Sequence, residues 1–124
     1  VDQSGCPDLT KIFVKCVYQS LFESGESKII SEKAKVLDSV VMLLKTFPEV
    51  SVMVYGYTDD VGPNDGNLQL SQKRANAVRV YLVAAGVAES RVLAVGRGET
   101  NFIASNRTRT GREQNRRIEL EFKS

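Results

Sequence analysis

The sequence of 124 residues contains no histidine. Histidine is the usual general base near neutral pH and the commonest protein ligand of metals, so its absence argues against hydrolase triads and zinc sites. Neither a cysteine–histidine nor a serine–histidine pair can be formed, and no other nucleophile–base pair can be named. We therefore expect a protein that is not an enzyme and that uses no metal and no cofactor.

Long hydrophobic runs are also absent. A helix needs roughly 20 consecutive apolar residues to cross a bilayer, and no segment approaches that length. The N-terminus has no basic stretch followed by an apolar one, as a secretory signal would. We expect contact with a membrane only through parts outside this chain. If the protein works outside the cytoplasm, the chain is then a mature or excised part of a longer one.

Cysteine is scarce, with Cys6 and Cys16 the two in the chain. An even number of cysteines close in sequence is compatible with a disulfide bond in an oxidising compartment. Spacing alone does not fix the geometry that a disulfide needs. A Cys6–Cys16 bond and a pair of free thiols both stay open, and the bond is the favoured alternative.

The composition that remains is typical of a globular domain, with 42% hydrophobic and 26% charged residues. A net charge of +2 does not by itself indicate a polyanionic partner. The length is enough for one substantial core but hardly for two. We interpret residues 1–12, which include Gly5 and Pro7, as a lead-in or linker and residues 13–124 as a single domain.

Hydrophobic periodicity predicts strands that alternate with helices. The predicted elements, in chain order, are a strand at 13–22, a helix at 31–48, a strand at 50–58, a helix at 71–86, a strand at 91–98, one short helical turn within 106–117 and a strand at 117–122. This βαβαβ(α)β order predicts an α/β fold, specifically an α+β two-layer sandwich. Two main helices would cover one face of a four-stranded mixed sheet.

Helix-capping residues mark the ends of the two long helices. Ser31 and Ser71 are the predicted N-caps, and Glu32 suits the first turn of the first helix. Pro48 would close that helix, and Gly86 stands where a glycine commonly ends one.

Two opposite charges flank the loop between the second predicted strand and the second helix. Asp59 follows the strand, at the edge where open α/β sheets gather ligands. Arg74 is predicted to be about the third residue of the helix, beside free backbone N–H groups that also favour anions. A carboxylate holds an ammonium, and a guanidinium gives a forked grip on a carboxylate. Together they are complementary to the head group of an amino acid.

Simpler roles for these charges stay open. Asp59 could cap the loop, and Arg74 could form a fold-stabilising ion pair with Asp59, Asp60 or Asp65, since ion pairs near turns are common. Otherwise we assign Asp60 and Asp65 to solvent and turn formation. Calcium is a poorer explanation: an EF-hand loop that began at Asp60 would need glycine at the position of Asp65 and glutamate at that of Ser71.

A second charged cluster lies near the C-terminus. Its arginines are Arg107, Arg109, Arg112, Arg116 and Arg117. They could form a polyanion-binding patch, which makes a nucleic-acid-binding module the alternative function. No aromatic residues interleave with them, so base stacking has no support. The plainer interpretation is a solvated loop that one or two arginines fix in place.

Residue by residue, the segment from about 17 to 123 resembles the OmpA-like peptidoglycan-binding domain of OmpA, MotB and Pal proteins. The middle strand "GVAESRVLAVGRGE" (86–99) also fits the family. The positions that carry the resemblance are Gly56, Thr58, Asp59, Gly62, Asn67, Leu70, Ser71, Arg74 and Ala75, followed by Asn106, Thr108, Gly111, Arg112, Asn115, Arg116 and Arg117.

The resemblance implies noncovalent binding of peptidoglycan through the diaminopimelate of its stem peptide. Asp59 would take the ammonium and Arg74 the carboxylate. Thr58, Asn67 and one of Arg116 or Arg117 would contribute further contacts. The implied location is the periplasm of a Gram-negative cell, in association with the outer membrane or envelope. The partner would be peptidoglycan and not nucleic acid, and the domain would anchor an envelope protein or complex.

The sequence departs from the family pattern at two places. Tyr57 stands where histidine is usual, which alters the wall of the cleft without removing either charged group. The first loop, "FESGESKI" (22–29), lacks the aspartate that some members carry near Gly25, so the resemblance does not establish a contact from that side.

Overall fold

The computed structural model describes residues 13–19, 21–23 and 25–123, with side-chain environments from Cys16 onward. The predicted lead-in at 1–12 lies outside the described residues. A short 3-10 turn, Glu89–Arg91, leads into the third strand. The other elements are β1 (Phe13–Gln19), α1 (Val36–Thr46), β2 (Ser51–Tyr57), α2 (Asn64–Ala84), β3 (Val92–Gly98), α3 (Arg109–Asn115) and β4 (Arg117–Lys123).

The four strands form one mixed sheet in the order β1-β4-β2-β3. β4 pairs antiparallel with both β1 and β2, whereas β2 and β3 are parallel. The parallel pair requires a crossover, and α2 supplies it. The predicted α/β fold with this element order is confirmed.

One hydrophobic core lies between the two long helices and one face of the sheet. Alternation along β4 places Ile118, Leu120 and Phe122 in this core, as the sequence predicts. The helices contribute residues at three- and four-residue spacing, which is how an amphipathic helix meets a sheet. These are Leu37, Val40, Val41 and Leu44 from α1, and Ala75, Val78 and Leu82 from α2.

The predicted start of α1 is wrong. Residues 31–35 form turns, the helix begins at Val36, and Lys35 rather than Ser31 is its N-cap. Hydrogen bonds such as Leu37 N–H to the Ala34 carbonyl tighten this segment into short turns. The end of the helix agrees with prediction: α1 stops at Thr46, shortly before Pro48.

The predicted start of α2 is wrong by seven residues. The helix begins at Asn64, after Pro63, so it includes the second half of the Asp- and Gly-containing segment. Ser71 lies inside the helix and is fully buried. Its hydroxyl donates to the Leu68 carbonyl (2.7 Å) and accepts from the Gly98 N–H (2.8 Å), so it serves tertiary packing rather than capping.

The end of α2 has the predicted glycine. Gly86 has a φ of 111°, which favours glycine. Its N–H donates to the Val83 carbonyl, and the Val87 N–H donates to the Leu82 carbonyl. These bonds satisfy carbonyl groups that the last turn leaves without helical partners.

Two glycines let the backbone of α2 lie directly on the sheet. A Cβ atom at Gly56 would lie 2.2 Å from the Ser71 carbonyl oxygen. A Cβ atom at Gly96 would lie 2.4 Å from the Gln72 backbone nitrogen. Only hydrogen fits at either position, so these glycines fix the distance between α2 and the ends of β2 and β3.

Side chains of α2 also form hydrogen bonds with backbone groups along the outer edge of β3. The Gln72 amide donates to the Ala94 carbonyl (3.1 Å) and accepts from the Gly96 N–H (2.8 Å). Arg79 Nε donates to the Val92 carbonyl (2.9 Å). Pairing these groups protects an edge strand that would otherwise present open hydrogen-bonding groups. Among the described residues, no helix is both long enough and apolar enough to cross a membrane.

Arg91 joins the end of α1 to the start of β2. Its guanidinium donates to the carbonyls of Leu44 (2.7 Å), Phe47 (2.9 Å) and Val50 (2.6 Å). Of these carbonyls, that of Leu44 lies in the last turn of α1, where helical donors are missing, and hydrogen bonds from a charged donor are stronger than neutral ones.

We expect Arg91→Met to lower the free energy of unfolding by about 2 kcal/mol in urea denaturation, because the carbonyls at the end of α1 lose their donor. Arg107→Met is the matched control. Arg107 is exposed, and its substitution should stay within about 0.5 kcal/mol of wild type. Equal small losses in both variants would contradict the assigned role of Arg91.

Candidate functional site

Asp59 lies two residues after the end of β2 and is 5% exposed. Its Oδ1 accepts from the Val61 N–H at 2.9 Å, which shapes the loop as an Asx-type turn. Its Oδ2 accepts from Arg116 Nη1 at 2.6 Å in an ion pair. Both carboxylate oxygens therefore have fixed positions.

Thr58 and Asn67 hold the loop that carries Asp59. The Thr58 hydroxyl donates to the Asp59 carbonyl oxygen at 2.9 Å. The Asn67 amide donates to the Val61 carbonyl at 2.9 Å and to the Asp59 carbonyl at 3.4 Å. Both side chains are buried, so in this structure they support the carboxylate rather than line open space.

Arg74 is the eleventh residue of α2, in the middle of the helix. The prediction that it sits one turn from the N-terminus, beside free N–H groups, is wrong because the helix starts at Asn64. Its Nε donates to the Glu26 carbonyl (2.8 Å) and its Nη2 to the Glu23 carbonyl (3.2 Å). The guanidinium carbon lies 5.1 Å from the centroid of the Phe22 ring, within cation–π range.

One nitrogen of Arg74 has no such bond. Among the described residues, none accepts from its Nη1, and no side-chain nitrogen or oxygen that is fully buried lacks a partner. Nη1 is therefore not fully buried, and Arg74 lines an open cleft. This atom can donate to an anion that enters the cleft.

The charges of Arg74, Arg116 and Asp59 act on one another. Burial lowers the pKa of Arg74, the positive charge of Arg116 lowers it further, and the negative charge of Asp59 opposes both. The structure thus brings Asp59 and Arg74 to one region, but in the described part of the chain the ion pair of Asp59 is with Arg116. The open alternative, a pair of Arg74 with Asp59, Asp60 or Asp65, is not found there.

The cleft has a volume of about 280 Å³, and more of its surface is polar than apolar. Arg74 and Arg116 line the cleft. Asp59 does not line it but forms an ion pair with Arg116. The complete lining is Tyr18, Leu21, Phe22, Glu23, Ile30, Lys33, Arg74, Glu113, Arg116, Arg117 and Ile118.

Of the two adjacent arginines, Arg116 has the position suited to ligand contact. The Arg117 guanidinium stacks on the Tyr57 ring at 3.9 Å and pairs with Glu119 at 2.6 Å. It also donates to the Asn101 carbonyl at 2.7 Å, and Arg117 is 3% exposed. Its charge is already engaged within the protein.

Tyr57, at the position where the family pattern has histidine, is 2% exposed. Its ring contacts Arg117, and its hydroxyl accepts from Arg97 Nη1 at 3.1 Å. Tyr57 does not line the cleft, so the substitution leaves the groups around Arg74 in place.

The arginine-rich segment is not one continuous basic surface. Arg112 donates to the Asn106 carbonyl (2.9 Å), and Arg109 pairs with Glu113 (3.5 Å) on the surface. Arg116 lines the cleft, and Arg117 stacks on an aromatic ring. The arginines serve separate contacts, which does not favour the polyanion-binding alternative.

Asn115 fixes the loop before α3 and is fully buried. Its Oδ1 accepts from the N–H groups of Ile103 (2.8 Å) and Ala104 (3.0 Å). Its amide donates to the Ala104 carbonyl and the Asn106 side chain. This residue sits immediately before Arg116 and so fixes where that side chain leaves the backbone.

Sequence reasoning missed the first loop and its neighbours. Phe22, Glu23 and Glu26 contact Arg74, and Lys33 lines the cleft. Glu23 and Glu26 contact Arg74 through their backbone carbonyls, which a residue of any type would provide. No residue pattern in the sequence could therefore have indicated them.

Cys16 is buried and disulfide-bonded. Cys6 lies outside the described residues, so the predicted Cys6–Cys16 pairing stays a prediction. Asp60 and Asp65 are exposed, as expected for residues assigned to solvent, but Asp65 lies in the first turn of α2 and not in a loop turn. Within the described part of the chain, no group of three or more potential ligands is arranged to hold a metal ion.

Comparison with known proteins gives a consistent result. A family model described as the OmpA family matches residues 21–116. The chain is 43% identical over 99 residues to the probable lipoprotein YiaD of Escherichia coli K12, covering 80% of this chain and 45% of that protein. It is 41% identical over 99 residues to the peptidoglycan-binding protein ArfA of Mycobacterium tuberculosis H37Rv, covering 80% of this chain and 30% of that protein.

Among solved structures, the fold matches that of the peptidoglycan-associated lipoprotein from Burkholderia pseudomallei. The TM-score is 0.80 at 29% identity, over 86% of this chain and 89% of that one. The chain spans less than half the length of the two curated relatives. The extent of the family match and the identities to its relatives agree with the fold and the residue pattern: the chain belongs to the OmpA family.

Proposed function

We propose that this domain binds peptidoglycan noncovalently through the diaminopimelate of the stem peptide and so anchors an envelope protein or complex to the cell wall. The observation that carries the proposal is a buried cation with an open donor, Arg74 Nη1, that lines a cleft beside the Asp59–Arg116 pair. An unpaired buried charge is costly, and an anionic ligand would offset that cost.

The relatives support this assignment. ArfA is named a peptidoglycan-binding protein, and the structural neighbour from Burkholderia is a peptidoglycan-associated lipoprotein. The Asp and Arg of the present chain occupy the positions that the family pattern assigns to ligand binding. We extend the same ligand class to this chain and place it in the periplasm, with membrane contact only through parts outside it.

The chemistry of the ligand fits the charges of the site. The free end of diaminopimelate carries an ammonium and a carboxylate on one carbon. The carboxylate accepts from Arg74 Nη1, and the ammonium donates to Asp59. Arg116 Nη1 already donates to Asp59 Oδ2 at 2.6 Å. The ligand ammonium must therefore either replace Arg116 at this oxygen or bind to it together with Arg116. Arg116, which is about one-third exposed, can then turn toward the ligand carboxylate.

Two side chains act on this site through Asp59. Thr58 and Asn67 both donate to its backbone carbonyl and keep the carboxylate in place. We assign them to positioning, and we assign Arg117 to support of the fold through Tyr57 and Glu119.

Binding without catalysis is the activity that these groups support. Charge-assisted hydrogen bonds contribute roughly 1.5–3 kcal/mol each, and the entropy of association offsets much of that. Affinity for a single stem should be modest. A polymer with repeated stems allows rebinding, which makes the attachment effective.

The test compares two synthetic stem tripeptides that differ in the third residue, diaminopimelate or lysine. Lysine lacks the distal carboxylate, so Arg74 would stay without its anion. We expect at least tenfold weaker binding of the lysine peptide in calorimetric titration. Amide NMR shifts caused by the diaminopimelate peptide should cluster around Asp59, Arg74 and Arg116.

An oligonucleotide at low ionic strength is the control for nonspecific charge, and we expect no binding. Equal affinity for the two tripeptides would overturn the diaminopimelate assignment. Absence of binding to either tripeptide and to isolated cell-wall sacculi would overturn the proposed function as a whole.

A further inference from the structure

The cleft presents cations from separate segments of the chain. Its volume of about 280 Å³ is close to the lower end, roughly 300 Å³, of typical small-molecule sites. Arg74 of α2, Arg116 directly after α3 and Lys33 in the turn before α1 all line it, together with residues of the first loop. A ligand with more than one anionic group could therefore contact more than one of these cations.

Lys33 lines this cleft. Its N–H donates to the Ile30 carbonyl (2.8 Å), and the Ile30 N–H donates to the Leu21 carbonyl (2.9 Å). Ile30 and Leu21 both line the cleft, so these bonds fix the Lys33 backbone relative to the cleft wall. The Lys33 side chain is exposed, and no carboxylate of the described residues pairs with it.

Two carboxylate residues, Glu113 and Glu23, also line the cleft, and their surroundings differ from those of Lys33. Glu113 pairs with Arg109 at 3.5 Å, which partly neutralises it. Glu23 is exposed and contributes its backbone carbonyl to Arg74. Within the described part of the chain, Lys33 is thus the cation of the cleft that neither pairs with a carboxylate nor takes part in the proposed contacts with diaminopimelate.

We propose that Lys33 binds a second carboxylate of the stem peptide, the α-carboxylate of the γ-linked glutamate that precedes diaminopimelate. This inference rests on the proposed function, since it needs diaminopimelate bound at Asp59 and Arg74. The γ-linkage leaves the α-carboxyl of that glutamate outside the peptide chain, where it is ionised at neutral pH. Arg74 and Arg116 already serve the diaminopimelate carboxylate, so the second anion requires a different cation.

The consequence is a preference for stems whose glutamate is not amidated. Amidation replaces the carboxylate by a neutral carboxamide and removes the ionic part of the contact with Lys33. An ion pair at a solvent-exposed position changes affinity by a small factor, roughly two- to fivefold, and salt weakens it. The preference should therefore be measurable but modest, and larger at low ionic strength.

The experiment is a double-mutant cycle between protein and ligand. One partner is wild type or Lys33→Met, and the other is a diaminopimelate tripeptide with free or amidated glutamate. Wild type should bind the free acid two- to fivefold more tightly than the amide. Lys33→Met should bind both with the affinity that wild type has for the amide.

Lys35→Met is the matched control, because Lys35 is exposed in the same turn but does not line the cleft. It should keep the wild-type preference for the acid. If wild type binds acid and amide equally, or if Lys33→Met retains the preference, the inference is wrong while the proposed function stands. If wild type binds neither peptide, the proposed function itself fails and the inference with it.

Discussion

Replacing Arg74 with methionine is expected to abolish measurable binding of the diaminopimelate peptide while changing the free energy of unfolding by no more than about 1 kcal/mol. The loss of binding follows from the proposed role of Nη1. Truncation of one partner in a buried charge pair costs about 2–5 kcal/mol, which is roughly a thirtyfold to several-thousandfold loss of affinity. A site of modest affinity would then fall below detection.

The small effect on stability follows from the pKa of Arg74, which burial and Arg116 lower in the folded protein. A cation with a lowered folded-state pKa binds its proton less tightly after folding. Its charge therefore reduces stability at every pH below that pKa, including neutral pH. Replacing Arg74 by a neutral residue removes this unfavourable contribution, and the gain offsets the loss of the hydrogen bonds to the Glu23 and Glu26 carbonyls.

Arg79→Met is the matched control on the same helix. Arg79 also donates through Nε and Nη2 to two backbone carbonyls, those of Val92 (2.9 Å) and Glu89 (3.2 Å), but it does not line the cleft. This variant should bind the peptide like wild type. The two variants together separate loss of a ligand contact from loss of an arginine that fastens a loop.

Calorimetric titration and thermal unfolding with and without peptide measure both effects. Ligand at one hundred times its dissociation constant stabilises a folded protein by about 2.7 kcal/mol, so wild type and Arg79→Met should show a raised Tm with peptide. Arg74→Met should show none. Wild-type affinity in Arg74→Met would remove this residue from the site.

The elements and faces of the fold were predictable because local patterns specify them. The alternation of Ile118, Leu120 and Phe122 gives the face of β4 that is buried, and the glycine at position 86 gives the end of α2. The starts of both helices were not predictable from the same kind of signal. Ser71 has the residue type of an N-cap, yet its hydroxyl donates to the Leu68 carbonyl within α2 and accepts from the Gly98 N–H across the fold.

The candidate site was predictable in part. Family resemblance and charge chemistry both point to Asp59 and Arg74. The structure places Arg74 in the cleft and pairs Asp59 with Arg116, which also lines it. The pairing of Asp59 with Arg116 joins residues 57 positions apart, and nothing local to either residue encodes it. Lys33 was missed for a related reason: its place on the cleft depends on how the first loop folds over Arg74.

The position of Arg74 depends on contacts between α2 and the sheet that leave no space for a side chain. Gly56→Ala is expected to lower the free energy of unfolding by about 3 kcal/mol or more. Its Cβ would lie 2.2 Å from the Ser71 carbonyl oxygen, so the backbone of α2 has to move. Overpacking in a core typically costs 1–3 kcal/mol, and here no flexible side chain can give way.

Gly96→Ala should act in the same direction, because its Cβ would lie 2.4 Å from the Gln72 backbone nitrogen. It would also disturb the bond from the Gly96 N–H to Gln72. Both variants should weaken binding of the diaminopimelate peptide even under conditions where they stay folded, because a displaced α2 carries Arg74 out of position.

Gly66→Ala is the control that separates this effect from the general consequences of replacing glycine. Gly66 lies in the first turn of α2, and a Cβ there would meet only Pro63, at 4.0 Å. Alanine is a better helix former than glycine by up to about 1 kcal/mol, so this variant should be as stable as wild type or more stable. Thermal and urea unfolding of the three variants give the comparison. If Gly56→Ala and Gly96→Ala unfold like Gly66→Ala, direct backbone contact does not set the distance between α2 and the sheet, and the placement of Arg74 needs another cause.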